Sequence, residues 1–250
     1  MVDWKFIASK YWNGALKKLS GPESLARKRE NGLSIRYFRS AGFPSPEQFN
    51  HMGWETFDVA LNLTGDVAVD IGAHVGAYAL RLARNFRLVY AFEPNPVIFR
   101  VLQRNIRENR IRNIKPEEIA ISDAPGRRMM HVSPRFLSAS TLANRHYDDL
   151  QLDQAMFPHC ESLDSYLENK TGRVGFVKVD VENHELAVLK GMERTVMEHH
   201  PVISVEVHHA PTTLSSCCCN VCQYLRSWNL SVELHGRYTS EMRAHWLIAR

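Results

Sequence analysis

Val67-Ala68-Val69-Asp70-Ile71-Gly72-Ala73-His74-Val75-Gly76 is the stretch on which the reading of this chain turns. Asp66 to Asp70 is largely apolar with a β-branched repeat, and it reads as a buried strand. His74 to Asn85 reads as a helix, with Val75, Ala79, Leu82 and Ala83 on one face. Between them Gly72 and Gly76 stand in a G-x-x-x-G spacing, which lets a ligand approach the backbone beside a helix N-terminus. The dinucleotide fingerprint is G-x-G-x-x-G, and Asp70 occupies its first glycine position here. A carboxylate at that point repels a pyrophosphate. It suits a cofactor that has an ammonium and a sulfonium and no phosphate, which describes S-adenosylmethionine.

Working outward, Leu88 to Phe92 is a second strand that ends in Glu93-Pro94. An acidic group at that strand end accepts hydrogen bonds from both ribose hydroxyls, so Glu93 marks a nucleoside and fits NAD equally well. Pro96 to Asn109 is a helix whose apolar stripe is Ile98, Val101, Leu102 and Ile106, with Asn105 set inside it. Glu117 to Ser122 reads as a third strand and Val174 to Val179 as a fourth, followed by a helix from Glu185 to His199. Pro201 to Val207 is the next strand, Thr212 to Trp228 a helix, and Leu230 to Leu234 and Arg243 to Ile248 are late strands. This alternation implies an α/β fold with a mostly parallel, doubly wound sheet, and ligands beyond the carboxyl ends of its strands. In the fourth strand Phe176, Lys178 and Asp180 share a face. A lysine inside a central strand needs a partner, and Asp180 or Glu206 is at hand.

The 250 residues suffice for one large domain with an extension. Ala8, Tyr11, Trp12, Ala15 and Leu19 form a helical stripe, so residues 1–58 are expected to be a helical N-terminal extension and 59–250 the main domain. With 44% hydrophobic and 23% charged residues, global disorder is excluded. No run reaches the roughly 18 apolar residues of a membrane span. The N-terminus lacks the pattern of a secretory signal, so a cytoplasmic location is expected. Five cysteines, four of them between Cys217 and Cys222, do not make a disulfide framework. Cys219-Asn220-Val221-Cys222 lacks the second ligand pair of a zinc site.

The net charge is +4, yet residues 81–135 carry 12 Lys/Arg against 5 Asp/Glu. Arg100, Arg104 and Arg107 fall at helical spacing, which favours a solvated helix face over a nucleic-acid surface. Where a nucleic-acid amino-methyltransferase carries N/D-P-P-Y, this chain has Asp180-Val181-Glu182-Asn183, and it contains no Pro-Cys pair.

The stretch from Val67 to Gly76 is followed by Ala91-Phe92-Glu93-Pro94-Asn95-Pro96 and then by Val177-Lys178-Val179-Asp180-Val181-Glu182-Asn183-His184-Glu185. With Val188-Leu189-Lys190-Gly191 after them, this ordered set resembles the FkbM-type methyltransferases over about residues 60 to 208. The resemblance implies a class I, Rossmann-like, S-adenosylmethionine-dependent enzyme, and it implies O-methylation of a hydroxyl on a small molecule, sugar or glycan. By position it gives Asp70, Gly72 and Gly76 the methionine end of the cofactor, Glu93 the ribose, and Ser122 and Asp123 the neighbourhood of the adenine. Asp180 falls next to the transferred methyl. Asp180 and Glu182 are candidates for general base or acceptor binding, with His208 and His184 as alternative bases. A divalent metal is compatible with two carboxylates but not established by them, so no metal ligand is assigned. The family usually has glycine where Asn183 stands, and asparagine is the next most tolerant residue for a left-handed backbone. Residues 124–160 are expected to form part of the acceptor wall. A nicotinamide-dependent oxidoreductase and a non-catalytic cofactor-binding module are the competing readings.

Overall fold

In the computed structural model, the residues described are 25–30, 32–38, 62–132, 142, 154–208, 219–235 and 245–250. An antiparallel hairpin of β1 (Leu25–Glu30) and β2 (Leu33–Phe38) precedes the main sheet. Then come β3 (Gly65–Ile71), α1 (Ala77–Leu82), β4 (Phe86–Phe92), α2 (Pro96–Glu108) and β5 (Ile114–Glu117). Short strands β6 (Ala120–Ile121), β7 (Gly126–Arg127), β8 (Met130–Val132), β9 (Gln154–Met156) and β10 (His159–Glu161) lead to α3 (Leu163–Leu167). The remainder is β11 (Val174–Val179), α4 (Glu185–Lys190), α5 (Glu193–His199), β12 (Val202–Val207), α6 (Asn220–Ser227), β13 (Val232–His235) and β14 (His245–Ala249).

The main sheet has seven strands in the order β13-β14-β12-β11-β3-β4-β5. β12, β11, β3, β4 and β5 run parallel, while β14 and β13 pair antiparallel at one edge. From β3 the chain winds first toward β5 and then back to β11 and β12. The order therefore reverses between β3 and β11, where open α/β sheets bind ligands. β3 is buried from Val67 to Ile71 because helices cover both of its faces. Ala68 joins a core with α1, α2 and the hairpin residues Leu33 and Ile35. Val67, Val69 and Ile71 face the opposite core, built from α3 to α6. The expected mostly parallel, doubly wound α/β sheet is observed.

Several expectations need correction. The helical N-terminal extension is not helical where it is described: residues 25–38 form the hairpin, because Leu33 and Ile35 follow a period of two after a turn at Gly32. The stripe from Ala8 to Leu19 lies outside the described residues, as does most of 133–153 in the expected acceptor wall. The third strand of the sheet is Ile114–Glu117; Ala120–Ile121 pairs instead with β10, so Ser122 follows a different small sheet. The expected helix over 185–199 is two helices, α4 and α5, interrupted at Gly191. A Cβ on Gly191 would fall 1.9 Å from the Ser122 carbonyl oxygen, so only glycine allows that approach. The described helix after β12 begins at Asn220. Cys219 is its N-cap, its sulfur accepting the Cys222 N–H at 3.3 Å, which explains the C-x-x-C spacing without a metal. No helix among the described residues is long and apolar enough to cross a membrane.

Candidate functional site

Beyond the carboxyl end of β3 the chain turns back through Gly72, His74 and Gly76, all left-handed, with φ of +77°, +52° and +92°. The Gly72 and Ala73 N–H groups both donate to the Phe92 carbonyl, at 3.0 and 2.9 Å, which pins the turn to the end of β4. The Asp180 N–H donates to the Ile71 carbonyl at 3.0 Å and brings the loop after β11 against the same turn. A Cβ on Gly72 would lie 1.8 Å from the Asp180 carbonyl oxygen, so the approach of the two loops requires glycine there.

Glu93 enters from the end of β4. Its Oε2 accepts the His74 N–H at 3.0 Å and its Oε1 the Asn95 N–H at 2.8 Å. Burial pushes its carboxyl up to about 7, against the pull of those two bonds. Each oxygen keeps acceptor capacity for another donor. His74 is driven down to about 4 by burial and is neutral.

Asp70 is fully buried, and neither of its carboxylate oxygens makes a hydrogen bond among the described residues. Its nearest compensation is Lys178, directly opposite in the β3–β11 register, with Nζ 3.5 Å from Asp70 Oδ1. Burial raises the Asp70 carboxyl and Lys178 only partly offsets this. The Asn95 side-chain nitrogen is also buried without a hydrogen bond among the described residues. Unsatisfied buried groups of this kind cost about 1–3 kcal/mol each unless a ligand meets them. The donor set therefore fits S-adenosylmethionine: a carboxylate for the ammonium and a second carboxylate with free acceptor capacity for the ribose.

Lys178 Nζ also donates to Asp180 Oδ2 at 3.1 Å and lies 4.8 Å from the centre of the Tyr78 ring. Burial works against its charge, but Asp180 and Asp70 outweigh that and raise its pKa. Burial likewise opposes ionisation of Asp180, yet Lys178 and then His208 hold that carboxyl below the usual range.

His208 follows β12 at the same edge. Its Nδ1 pairs with Glu185 Oε1 at 2.8 Å. Its Nε2 lies 3.5 Å from Glu182 Oε1, 3.8 Å from Asp180 Oδ1 and 3.8 Å from Glu206 Oε1. Burial disfavours the imidazolium, but Glu182, Glu185, Glu206 and Asp180 together raise its pKa to about 10. Burial and Asp180 push Glu206 up to about 8. Glu182 and Asn183 are both left-handed, with φ of +51° and +75°. Asparagine at 183 thus fills the conformation that glycine would, and its N–H donates to Glu185 Oε1 at 2.8 Å. One ligand atom each from Asp180, Glu182 and His208 lie within 4.8 Å of one another, close enough to hold a metal ion. The imidazolium and Lys178 already put positive charge in that place, so these groups do not by themselves call for one.

Ser122 and Asp123 form a separate group. The buried Ser122 hydroxyl donates to Asp123 Oδ1 at 3.0 Å and lies 2.9 Å from His184 Nε2. Its single proton is spent on Asp123, so His184 Nε2 carries the proton and donates to Ser122. Asp123 also accepts from Arg128; burial opposes its ionisation, and the bonds from Ser122 and Arg128 hold it low.

The turn after β3 and the loops after β4, β11 and β12 thus bring Asp70, Gly72, Gly76, Glu93, Asp180, Glu182 and His208 to one edge. The hydrogen bonds of Ser122 and Asp123 do not reach this group. The sequence reading missed Asp70 as a partner of Lys178, and Glu185 as the anchor of His208. The first pairing was discoverable from strand register; the second has no local signal, because 23 residues separate the partners.

The comparisons with known proteins agree with this geometry. The family model described as the Methyltransferase FkbM domain matches residues 70–244. The 31-O-demethyl-FK506 methyltransferase FkbM of Streptomyces tacrolimicus is 27% identical over 175 residues, covering 58% of this chain and 66% of that protein. The hexuronic acid methyltransferase AglP of Haloferax volcanii is 31% identical over 144 residues, covering 57% of this chain and 56% of that protein. The chain thus spans less than two thirds of either relative's length. The crystal structure of methyltransferase FkbM from Methylobacillus flagellatus is 17% identical with a TM-score of 0.52, covering 98% of this chain and 60% of that one, a likeness of fold. Since the matched model spans most of the chain, from the turn after β3 through the loop after β11, the chain belongs to the FkbM methyltransferase domain family.

Proposed function

We propose that this protein is an S-adenosylmethionine-dependent O-methyltransferase acting on a hydroxyl of a small molecule, sugar or glycan. The observation that carries the reading is Asp70: a fully buried carboxylate with no hydrogen bond among the described residues, compensated only by Lys178 at 3.5 Å, at the head of a glycine turn that faces Glu93. S-adenosylmethionine supplies an electrophilic methyl on a sulfonium. Asp70 receives the ammonium of the methionine end, Gly72 and Gly76 give it room, and Glu93 accepts the ribose hydroxyls. Ser122 and Asp123 are assigned to the adenine side on the family resemblance alone.

Asp180 orients the acceptor hydroxyl. Lys178 keeps it ionised, so it would accept the hydroxyl hydrogen bond at neutral pH and take the proton as the new carbon–oxygen bond formed and the methyl carbon–sulfur bond broke, leaving the thioether S-adenosylhomocysteine. Its low basicity is adequate, because a hydroxyl oxygen that is being alkylated becomes strongly acidic. Glu182 stands beside it as a second acceptor for the substrate. His208 is an imidazolium at neutral pH and so holds the carboxylates in place instead of acting as the base. Positioning of the two reactants supplies much of the acceleration. The acceptor class rests on the two relatives, which are named for methylation of 31-O-demethyl-FK506 and of hexuronic acid.

The test is isothermal titration of S-adenosylmethionine, S-adenosylhomocysteine and NADH into the wild type and Glu93→Ala, followed by transfer of labelled methyl to a panel of hydroxylated acceptors. Binding of both adenosyl ligands, weakened in the variant, is expected. NADH binding alone supports an oxidoreductase. Adenosyl binding without transfer to any acceptor supports a non-catalytic module.

A further inference from the structure

Asn105 and Asn109 lie one turn apart on α2, and each meets β2 as a neighbouring strand would. Asn105 Oδ1 accepts the Arg36 N–H at 2.9 Å, and its Nδ2 donates to the Arg36 carbonyl at 3.1 Å. Asn109 Oδ1 accepts the Ser34 N–H at 2.7 Å, and its Nδ2 donates to the Ser34 carbonyl at 2.7 Å. Four residues of helix advance about 6 Å and two residues of strand about 6.8 Å. Asparagines at i and i+4 therefore match alternate residues on one strand edge, and they close an edge that would otherwise be open.

The two residues differ in one bond. Asn109 Nδ2 spends its other hydrogen inside the helix, on the Asn105 carbonyl at 2.7 Å. Asn105 Nδ2 spends it on the Val75 carbonyl at 2.8 Å, inside the turn that runs from Gly72 to Gly76. Asn105 is completely buried, so its amide has no water to fall back on. Val75 sits between two left-handed residues, His74 and Gly76, and the His74 N–H is one of the two that hold Glu93. A left-handed non-glycine residue is strained and persists only when its surroundings impose it. The peptide between Val75 and Gly76 is held at both ends: its N–H donates to the Ala73 carbonyl at 2.8 Å within the turn, and its carbonyl is held from outside the turn by Asn105.

Resting on the reading of that turn as the cofactor turn, we propose that Asn105 is a positioning residue that ties the cofactor turn to the N-terminal hairpin. The hairpin is then part of the cofactor-binding machinery, acting through one side chain, and not an appended cover. Asn109 fastens the hairpin but does not reach the turn.

The isosteric pair Asn105→Asp and Asn109→Asp tests this in the full chain at pH 8, since each keeps an Oδ acceptor and replaces two N–H donors by a carboxyl with at most one O–H. Three quantities are read: thermal stability, hydrogen exchange of the segment 70–80 without ligand, and the Kd for S-adenosylhomocysteine. Asn105→Asp is expected to speed exchange in the turn and weaken S-adenosylhomocysteine by about tenfold each, the equivalent of one lost hydrogen bond. Asn109→Asp is expected to lower stability while changing exchange in the turn and affinity by less than about threefold, because its lost bonds lie outside the turn. If both variants shift exchange and affinity alike, in step with their stability, Asn105 is merely structural and the proposal is overturned. If the wild type does not bind S-adenosylhomocysteine, the cofactor reading falls, and the exchange arm alone decides whether Asn105 holds the turn.

Discussion

The two halves of the site are made of different material. Around Glu93 the hydrogen bonds come from main chain: His74 N–H, Asn95 N–H, and the Gly72 and Ala73 amides on the Phe92 carbonyl. Around His208 the partners are side chains, four carboxylates from one loop, the first turn of α4 and a strand. The first half is set by backbone geometry and has little tolerance for added atoms. The second is set by the balance of charge and responds to pH and to isosteric changes that leave the fold alone. The same edge of the sheet therefore joins a half held by main-chain geometry to a half held by charge balance.

Gly72→Ala should break the comparison most completely, since the new methyl would overlap the Asp180 carbonyl at 1.8 Å and the residue is left-handed. The expected cost is about 3 kcal/mol or more in denaturant unfolding, with loss of S-adenosylhomocysteine binding. A mild effect would mean that the two loops are not fixed against each other.

Next in size is Asp180→Asn. It keeps the shape of the second half and removes the charge. The expected result is a fall in kcat on the order of 10²- to 10⁴-fold with the Kd for S-adenosylhomocysteine little changed. Equal losses in kcat and cofactor affinity would place Asp180 in the first half instead.

The pH dependence of the two halves sharpens the contrast. Glu93 titrates at about 7 in the folded chain, so its carboxylate form, the better acceptor for ribose hydroxyls, accumulates above that pH. Cofactor affinity should rise by up to about tenfold between pH 6 and 8, and should be flat in Glu93→Gln. The stability contribution has the opposite sign. A carboxyl raised above its ordinary value favours folding fully below that ordinary value, and the contribution is lost as pH rises through about 7. Titration calorimetry and thermal melts at the two pH values read these trends separately.

The smallest expected effect is Glu185→Gln, which removes one charge-assisted bond from His208. Stability should fall by about 1–2 kcal/mol at neutral pH, and the His208 titration followed by NMR should move downward. The imidazolium's own contribution is fully present below pH 6.5 and is lost as pH rises through about 10, so the wild type and the variant should converge in alkaline melts.

The half around Glu93 was largely legible in the sequence as a constellation, because its determinants are consecutive. Asp70, Gly72 and Gly76 belong to one turn, and Glu93 ends the next strand. The half around His208 was legible only as a list of candidates. Asp180 and Glu182 could be named from the loop after β11, but that Lys178 faces Asp70 across a strand pair depends on register. The N-terminal reading failed for a related reason. A helical stripe was visible at residues 8–19, while the period-two signal of Leu33 and Ile35 is too short to compete until α2 supplies the edge on which β2 rests.

Sequence by itself determined the alternation of strands and helices, the glycine turn and the acidic residues at strand ends, because hydrophobic period and turn chemistry act within a few residues. Tertiary structure alone decided which charges meet and which protons are held. Asp70 is silent in sequence as to its pairing with Lys178, and His208 as to its four carboxylate neighbours. Both depend on desolvation and on charges brought from far along the chain, and those quantities exist only once the sheet has closed its order around β3 and β11.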